Sequence, residues 1–542
     1  MSILPPTALS LALLLLTGAA VAQPQPVSGP APTSPIPYQV APSQTLAMAL
    51  DAARKKDLPR ARALQAGLTD PVARRLVDWA IVDIFGAELG EEELTRAVHD
   101  FAGWPRPEGR LQALQEAHTA ALPPGPVPYS ALSSRIGGGP ASNFTSMRLR
   151  MNDALRAGDV RAAYQAVSNH NLTPGSVDFA EAESYAGWLA LNKLRDPRLA
   201  DTHFKRLEEN VKSPVSKARA YYWRGRAAEQ MGDMARAKAF YEQGAEHTTT
   251  FYGQLAAERA GIKVLVLSPD PQPSADQRIS FETTELTRAV RLLAAAGERG
   301  LVRVFGLYMG ENADTPVQLA MVVDLLQSVD EQEVSLIAYR RGAQAGLILH
   351  ERGYPVMTPP AVSGGAEPAL VLAIVRQESQ FDPRVRSGAD ARGMMQMLPS
   401  TARDTARRAG IDWNPDSLWD PQYNMRLGSS FLGRLTTNFG DSYVMAAAGY
   451  NAGPGRPLQW IQFCGDPRDP SVDPLDFLEC IPFSETRNYV MNVMSNVTVY
   501  RARLNGGRAP LSAAGDLSRG VMPAALLPDG PQPYSSASAS KR

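Results

Sequence analysis

A repeated pair of amphipathic segments in the middle of the chain constrains its fold more than any other feature. Trp188 and Trp223 lie 35 residues apart, and each belongs to an apolar-periodic segment that ends in a turn. A second periodic segment with an aromatic residue, Phe204 or Phe240, follows each turn. Helix–turn–helix units of this length cannot bury their apolar faces alone, so they stack on their neighbours. The sequence therefore predicts a curved α-solenoid.

The same character extends over residues 45–355, which are rich in Ala, Leu, Arg and Glu and contain few β-branched runs. An earlier copy of the repeat surrounds Gly158 and Asp159. We therefore expect residues 45–355 to form one α-superhelical domain that acts as a scaffold or guides a ligand. Its aromatic residues belong either to the core between helices or to a binding surface, and their periodic spacing favours the core.

Both ends of the chain differ from this middle part. The apolar run Leu9–Leu16, followed by small residues up to Ala22, predicts a secretory signal peptide over residues 1–22. The run is short for crossing about 30 Å of hydrocarbon, which favours cleavage after Ala22 over a membrane anchor. Residues 23–44 are rich in Pro, Ser and Gln and predict a disordered leader. Residues 505–542, rich in Gly, Pro, Ala and Ser, predict a disordered tail.

Charge and histidine placement exclude several classes of function. Lys and Arg number 55, Asp and Glu also number 55, and the formal net charge is therefore zero. This balance argues against nucleic acid as a partner, because proteins that bind it usually carry a basic excess. The last of the six His residues is His350. The region beyond it therefore forms no Ser–His–Asp or Cys–His centre and no His-ligated zinc site of its own. Chemistry there has to depend mainly on carboxylates and hydroxyls.

One carboxylate in that region stands at the end of a predicted helix. The helix has an apolar face made of Leu370, Val371, Ile374 and Val375. Glu378 continues this face, and Asp382-Pro383 is expected to end the helix soon afterwards. Desolvation by the apolar face and the negative end of the helix dipole should both raise the pKa of Glu378. A carboxyl group that stays protonated near neutral pH is suited to general acid catalysis.

Four sequence blocks surround this residue in the chain. They are RQES at Arg376–Ser379, GMMQMLP at Gly393–Pro399, GYNAG at Gly449–Gly453 and PFSETRNYV at Pro482–Val490. In this order they resemble the catalytic domain of soluble lytic transglycosylases of the Slt type. The resemblance is strong over residues 366–504 and looser over the helical region. It departs from the family at Leu398, where a Met is usual, and at Gly449, where an Ala is usual.

The resemblance implies an all-α protein, in which an N-terminal α-superhelical domain precedes a lysozyme-like catalytic domain. It also implies cleavage of the β-1,4 bond between N-acetylmuramic acid and N-acetylglucosamine in peptidoglycan. Glu378 matches the catalytic glutamate, which protonates the glycosidic oxygen and then acts as a base on the C6 hydroxyl. That hydroxyl attacks the anomeric carbon and yields a 1,6-anhydro product without water. The N-acetyl group of the substrate is expected to stabilise the positive anomeric centre.

The resemblance also implies a set of substrate-binding residues. They are Ser387, Met395, Gln396, Leu398, Tyr450, Asn451, Glu485 and Tyr489. Two of these positions have a second interpretation. Glu485 is also placed to interact with the dipole at the start of a helix. Met395, like its neighbours Met394 and Met397, is also suited to fill the core.

The two cysteines, Cys464 and Cys480, enclose a short loop rich in Asp and Pro. In an exported protein two cysteines without a competitor are expected to form a disulfide, although two free thiols remain an alternative. The loop offers too few further ligands for a metal site. We expect no metal and no cofactor.

Two alternative functions remain. A hydrolytic muramidase would need a second carboxylate across the sugar, and Asp382, Asp390 and Asp412 are nearby in sequence. A non-catalytic scaffold that binds peptidoglycan through the solenoid is the other, and Glu378 with its four blocks argues against it.

The expected partners are peptidoglycan glycan strands and, in addition, other cell-wall enzymes in a complex. We expect a monomer located in the periplasm, either soluble or loosely associated with the cell wall.

Overall fold

Helices form most of the part of the chain that the computed structural model describes, which is residues 44–121 and 143–521. The predicted signal peptide, the leader up to residue 43 and the predicted tail beyond residue 521 lie outside this part. The first helix begins at Gln44, one residue before the predicted start of the helical domain. None of the described helices is both long and apolar enough to cross a membrane.

Seventeen α-helices precede residue 345 in the described part of the chain. They are α1 (Gln44–Arg54), α2 (Leu58–Ala66), α3 (Pro71–Phe85), α4 (Glu91–Asp100), α5 (Pro107–Ala121), α6 (Asn143–Arg156), α7 (Val160–Ser168), α8 (Val177–Trp188), α9 (Pro197–Asn210), α10 (Pro214–Gln230), α11 (Met234–Ala245), α12 (Phe251–Arg259), α13 (Ala275–Thr283), α14 (Glu285–Ala295), α15 (Arg299–Glu311), α16 (Pro316–Ser328) and α17 (Gln332–Gln344). A π-helical turn, Leu189–Lys193, extends α8.

Eight further helices follow an irregular segment over residues 345–367. They are α18 (Pro368–Ser379), α19 (Pro399–Ala409), α20 (Pro421–Asn438), α21 (Tyr443–Ala452), α22 (Gly455–Cys464), α23 (Pro474–Cys480), α24 (Ser484–Leu504) and α25 (Ala513–Leu517). Two short strands, β1 (Val264–Val266) and β2 (Arg508–Pro510), pair antiparallel with Leu265 opposite Ala509.

An aspartate begins the second helix of each predicted repeat unit. Asp159, Asp196 and Asp233 accept hydrogen bonds from backbone N–H groups in the first turns of α7, α9 and α11. These caps satisfy donors that have no partner within the helix. The three aspartates are spaced 37 residues apart. The repeat is therefore 37 residues long and contains one pair of helices.

A glycine on the first helix of a pair receives an aromatic ring from the second. A Cβ at Gly187 would lie 2.5 Å from the ring of Phe204, and one at Gly225 would lie 2.4 Å from the ring of Tyr241. The missing side chains thus allow the paired helices to approach closely. Tyr241, and not Phe240, is the buried counterpart of Phe204.

The two tryptophans that revealed the repeat, Trp188 and Trp223, are both fully buried. Trp223 stacks with Phe204 at a ring distance of 5.9 Å. These contacts confirm that the repeat aromatics belong to the core between helices.

The first helices of the array pack against later ones, far away in sequence. Trp79 on α3 meets Phe305 on α15 at a ring distance of 5.0 Å. Arg54 bonds to Glu298 at 2.6 Å in the turn that precedes α15. Helices α1–α5 are thus held by α14 and α15 as well as by each other.

The C-terminal helices dock on the array through a buried group of charges. Glu479 on α23 is 1% exposed, and it accepts hydrogen bonds from Arg219 on α10 at 2.7 Å and from the hydroxyl of Tyr252 on α12. Arg487 on α24 is fully buried and pairs with both Glu479 and Glu181 of α8. Burial opposes the charged form of Glu181, but Arg487 and Arg219 outweigh it and lower the pKa of Glu181 to about 2.

The predicted disordered tail is wrong for residues 505–521, which are ordered against the rest of the chain. Strand β2 pairs with β1, and Leu517 of α25 is buried. Asp516 forms an ion pair with Arg501, which also pairs with Glu367 at 2.8 Å. Composition missed this segment because three residues that pair with a distant strand leave no local pattern.

Cys464, at the end of α22, and Cys480, at the end of α23, form a disulfide. The disulfide closes the loop over residues 464–480, which includes α23.

The buried charges predict a strong effect of removing one partner. Glu479→Ala leaves Arg219 and Arg487 without their shared carboxylate, and we expect a loss of about 3–5 kcal/mol in the free energy of unfolding. Urea denaturation of the full chain measures it. The matched control is Glu242→Ala on α11, whose partner Lys238 and whose own side chain are exposed. Equal denaturation midpoints for Glu479→Ala and the unmodified chain would show that the network does not stabilise the fold.

Candidate active site

Glu378 occupies the last turn of α18, a helix whose residues from Ala369 to Val375 are all buried. The helix ends sharply because Gln380 and Phe381 both adopt positive φ angles, 51° and 65°. Non-glycine residues rarely adopt this conformation, and a right-handed α-helix cannot continue through it. The side chain of Glu378 is therefore fixed at the end of an apolar helix.

The hydroxyl of Tyr489 donates a hydrogen bond of 2.6 Å to Oε1 of Glu378. Burial raises the pKa of Glu378 to about 7, and the bond from Tyr489 partly counteracts this because it favours the carboxylate. No charged side chain in the described ranges contributes to the shift. Glu378 is therefore a carboxyl group that changes its protonation state near neutral pH.

Tyr450, near the end of α21, is a second tyrosine close to this carboxyl group. Its hydroxyl donates to the backbone carbonyl of Met395 at 2.7 Å. Burial raises its pKa well above 10, and the charge of Glu378 adds to this effect. The same two causes raise the pKa of Tyr489 well above 10. Both tyrosines thus remain protonated and act as hydrogen-bond donors.

A tight turn at residues 393–397 supplies the carbonyl that Tyr450 binds. A Cβ at Gly393 (φ 74°) would lie 2.3 Å from the carbonyl oxygen of Leu418, so this position requires glycine. Gln396 donates its side-chain amide to the carbonyls of Val385 and Gly393, each at 2.9 Å. Its amide NH₂ group is thereby occupied in holding the turn.

Asn424 of α20 also holds the turn at residues 393–397. The sequence analysis did not identify this residue. Its Oδ1 accepts from the backbone N–H of Met395 at 2.8 Å, and its Nδ2 donates to the carbonyls of Arg392 and Leu418 at 2.9 Å each. The side chain is fully buried. The sequence signal that could have identified Asn424 is that it is a polar residue on the same helix face as Gly428.

Asn451 is exposed and follows Tyr450 on α21. The buried hydroxyl of Thr486 donates to its Oδ1 at 2.7 Å. This bond directs the NH₂ end of the Asn451 amide away from Thr486, where it can donate to a ligand.

The other predicted binding residues differ in what their side chains contact. Ser387 accepts from the backbone N–H of Ala391 at 3.0 Å and so holds the 387–391 turn. Leu398 is 40% exposed. Glu485 is exposed in the first turn of α24, which is also the position where an acidic residue stabilises a helix.

The prediction that the side chain of Met395 contacts substrate is wrong. The side chain is completely buried, as are those of Met394 and Met397. It fills the space that Gly428 leaves open, because a Cβ there would lie 2.2 Å from the Met395 sulfur. Met395 takes part in the site through its backbone, which bonds to Tyr450 and Asn424.

Two of the three candidates for a second carboxylate are held by arginines. Asp382 accepts from Arg384 at 2.9 Å. Asp390 pairs with Arg392 and Arg386, which lower its pKa. The third candidate, Asp412, is exposed. Within the described ranges, no group of three His, Cys, Asp or Glu side chains is arranged to hold a metal ion.

Two parts of the chain are similar to known protein families. Residues 359–469 match the family model described as "Transglycosylase SLT domain". In sequence, these residues are similar to a transglycosylase SLT domain. A second model, "Soluble lytic transglycosylase helical domain", matches residues 480–508, which include α24.

The curated relatives match a limited part of this chain. The soluble lytic murein transglycosylase of Escherichia coli (strain K12) is 39% identical over 135 residues, which are 24% of this chain and 20% of that protein. The protein of that name from Salmonella typhimurium is 42% identical over 135 residues, with the same shares. The membrane-bound lytic murein transglycosylase C of Actinobacillus pleuropneumoniae serotype 5b is 32% identical over 160 residues, or 26% and 43% of the two chains. The match thus spans about a fifth of the length of the first two relatives.

The fold extends the likeness beyond the SLT domain. An inactive mutant of the lytic transglycosylase Slt from Pseudomonas aeruginosa superposes with a TM-score of 0.54 at 23% sequence identity. The superposition covers 87% of this chain and 74% of that one. It confirms the predicted all-α class, with a helical array before the C-terminal helices.

Titration of Glu378 in the SLT domain tests the proposed electrostatics. We expect its carboxyl ¹³C resonance to titrate with a midpoint of about 7. Tyr489→Phe should move the midpoint up, because it removes a bond that favours the carboxylate. Tyr450→Phe is the matched control, since this hydroxyl bonds to a backbone carbonyl. A midpoint that falls in Tyr489→Phe contradicts the assignment.

The raised pKa of Glu378 also links stability to pH. Because the folded pKa exceeds the ordinary value of 4.5, the contribution of Glu378 to stability is fully present below pH 4.5. It is lost as pH rises through about 7. Glu378→Gln should remove this part of the pH dependence of unfolding.

Asn424 should matter for the turn that carries Met395. Asn424→Ala leaves one N–H and two carbonyl groups without their partner, and we expect a loss of about 2–4 kcal/mol in the free energy of unfolding. The control is Asn438→Ala, an exposed residue at the end of the same helix. Similar unfolding midpoints for the two variants would mean that the buried amide does not hold the turn.

Proposed function

We propose that this chain is a peptidoglycan lytic transglycosylase that cleaves the β-1,4 bond between N-acetylmuramic acid and N-acetylglucosamine. The observation that carries the proposal is the carboxyl group of Glu378, whose burial raises its pKa to about 7 beside the donor Tyr489. Such a group is protonated in a useful fraction at neutral pH and can also accept a proton.

In the proposed mechanism one carboxyl group acts twice. Glu378 gives its proton to the glycosidic oxygen as the bond from that oxygen to the anomeric carbon breaks. The resulting carboxylate then takes the proton of the C6 hydroxyl of the same muramic acid. The O6 atom bonds to the anomeric carbon, which gives the 1,6-anhydro ring and returns Glu378 to its protonated form. The N-acetyl group of the substrate stabilises the anomeric centre between the two steps.

The tyrosines support both protonation states of Glu378. Tyr489 donates to Oε1, so Oε2 is the oxygen that is left to carry the mobile proton. Neither tyrosine competes as a base, because the pKa of each lies well above 10.

The remaining binding residues are assigned to the groove beside the bond that breaks. Asn451 offers its NH₂ group to the sugar, and Leu398 and Glu485 offer exposed surface. Ser387 and Gln396 shape the groove by fixing its backbone, since their side chains bond to neighbouring peptide groups. Residues 366–504 form the catalytic domain in this proposal, and residues 45–355 guide the strand. Glycan strands are the substrate and the periplasm is the compartment.

The charges near Glu378 favour this mechanism over hydrolysis by a muramidase. Hydrolysis by the usual route needs a second carboxylate across the sugar ring. Asp382 and Asp390 are paired with arginines, and the pKa of Glu378 shows no effect of another carboxylate in the described chain. A non-catalytic scaffold would gain nothing from a buried carboxyl group, which costs free energy once it ionises.

Digestion of purified sacculi tests the proposal. We expect the full chain to release muropeptides with 1,6-anhydro ends, and reducing ends, heavier by one water, would refute the non-hydrolytic mechanism. Glu378→Gln should reduce the rate at least about a hundredfold, because the amide cannot donate or accept the proton. Asp390→Asn is the control and should retain activity. The value of kcat/KM should fall as pH rises through about 7, where Glu378 loses its proton.

A further inference from the structure

Two adjoining clefts lie between α19 and α20, outside the site described above. One has a volume of about 370 Å³ and is bounded by residues 361–364, and the other has a volume of about 320 Å³ and is bounded by Pro454. Arg408 of α19 and Arg434 of α20 line both, so the two form one continuous feature. Arg426 lines the larger one. We refer to the two clefts together as the arginine cleft.

The arginine cleft has more positive charge than its acids can neutralise. Arg426, Ser430 and Arg434 are four residues apart and so share one face of α20, with about 12 Å between the two arginines along the axis. Of the residues that line the cleft, Asp404 is the one acid. No carboxylate in the described ranges pairs with Arg426.

Asp404 is already shared among several cations. It pairs with Arg408 at 2.8 Å, with Arg407 at 2.7 Å and with Arg434 at 3.4 Å. Arg408 and Arg407 lower its pKa to about 2, so Asp404 stays ionised. One carboxylate thus serves three guanidinium groups in a chain whose net charge is zero. The cleft is suited to bind an anion.

The arginine cleft is separated from the candidate active site by one aromatic ring. Phe431 lines the smaller part of the cleft, and the guanidinium group of Arg434 lies 5.4 Å from the centre of its ring. Phe431 also packs on Tyr450, at a ring distance of 5.4 Å. An anion in the smaller part of the cleft would therefore lie next to a ring that packs on Tyr450 of the candidate active site.

We propose that the arginine cleft binds carboxylate groups of the peptide stems that are attached to the glycan strand. This inference rests on the proposed function, since it assumes that the substrate is peptidoglycan. Stem peptides contain several free carboxylates in a short, extended chain, while the sugars carry no charge of their own. Arginine binds a carboxylate through two parallel N–H donors, which makes a row of arginines selective for such a peptide.

Binding of a free stem peptide tests the proposal directly. The probe is the tripeptide L-Ala-γ-D-Glu-meso-diaminopimelate, titrated calorimetrically into the full chain. We expect Arg408→Gln and Arg426→Gln each to raise Kd about two- to fivefold, as exposed ion pairs usually do. Arg403→Gln is the matched control, because this arginine is exposed on α19 but lies outside the cleft. The tripeptide with amidated carboxylates should bind the unmodified chain at least as weakly as the free tripeptide binds the double variant Arg408→Gln/Arg426→Gln.

Three results overturn the proposal: no binding of the tripeptide to the unmodified chain, equal affinity of the cleft variants and Arg403→Gln, or equal affinity for the amidated peptide.

A second assay compares intact strands with strands stripped of their peptides by an amidase. The cleft variants should raise KM for intact strands only, with kcat unchanged. If the unmodified chain releases no anhydro product from either substrate, the proposed function fails, whereas the tripeptide titration still decides the role of the cleft.

Discussion

The buried charges around Arg487 are the interaction on which the rest of the structure depends. Arg487 and Tyr489 are two residues apart on α24, so their side chains point to nearly opposite sides of the helix. Arg487 pairs with Glu181 of the array, and Tyr489 bonds to Glu378. The contact that joins α24 to the array therefore also fixes the donor that the candidate active site needs. Through this link, the docking of α24 on the array positions the hydroxyl group that bonds to Glu378.

The environment of Glu378 shows how a pKa near 7 is reached with few components. An apolar helix and two tyrosines remove water, and the hydrogen bond from Tyr489 returns only part of the lost stabilisation of the carboxylate. An adjacent arginine would have lowered the pKa, and an adjacent carboxylate would have split the titration into two steps. The arginines of the 384–392 segment are instead paired with Asp382 and Asp390. Because these arginines and aspartates are paired, their charges largely cancel and do not shift the pKa of Glu378.

The sequence predicted what is local and missed what depends on distant partners. Glu378 was found because an apolar helix face leads to it, and Tyr450 and Tyr489 were found because they lie within short blocks. Asn424 was missed, since its three bonds go to backbone groups that only the fold brings together. Met395 was placed in the groove because a block alone cannot distinguish a side chain that meets the ligand from one that packs beneath it. The order of residues 505–521 was missed for the same reason, because β2 exists only against β1.

The zero net charge, which argued against a polyanionic partner, hides an uneven distribution. The acids of α23 and its cap face the array, where Glu479 is buried against Arg219 and Asp476 accepts from Trp188 at 2.9 Å. Those carboxylates are used to hold the fold, so they are not available to neutralise arginines elsewhere. The excess of arginine is left on α19 and α20, where Arg408, Arg426 and Arg434 line the arginine cleft. A chain with zero net charge can therefore bury acidic residues where its helices dock and still expose a surface rich in arginine. The net charge predicts neither feature.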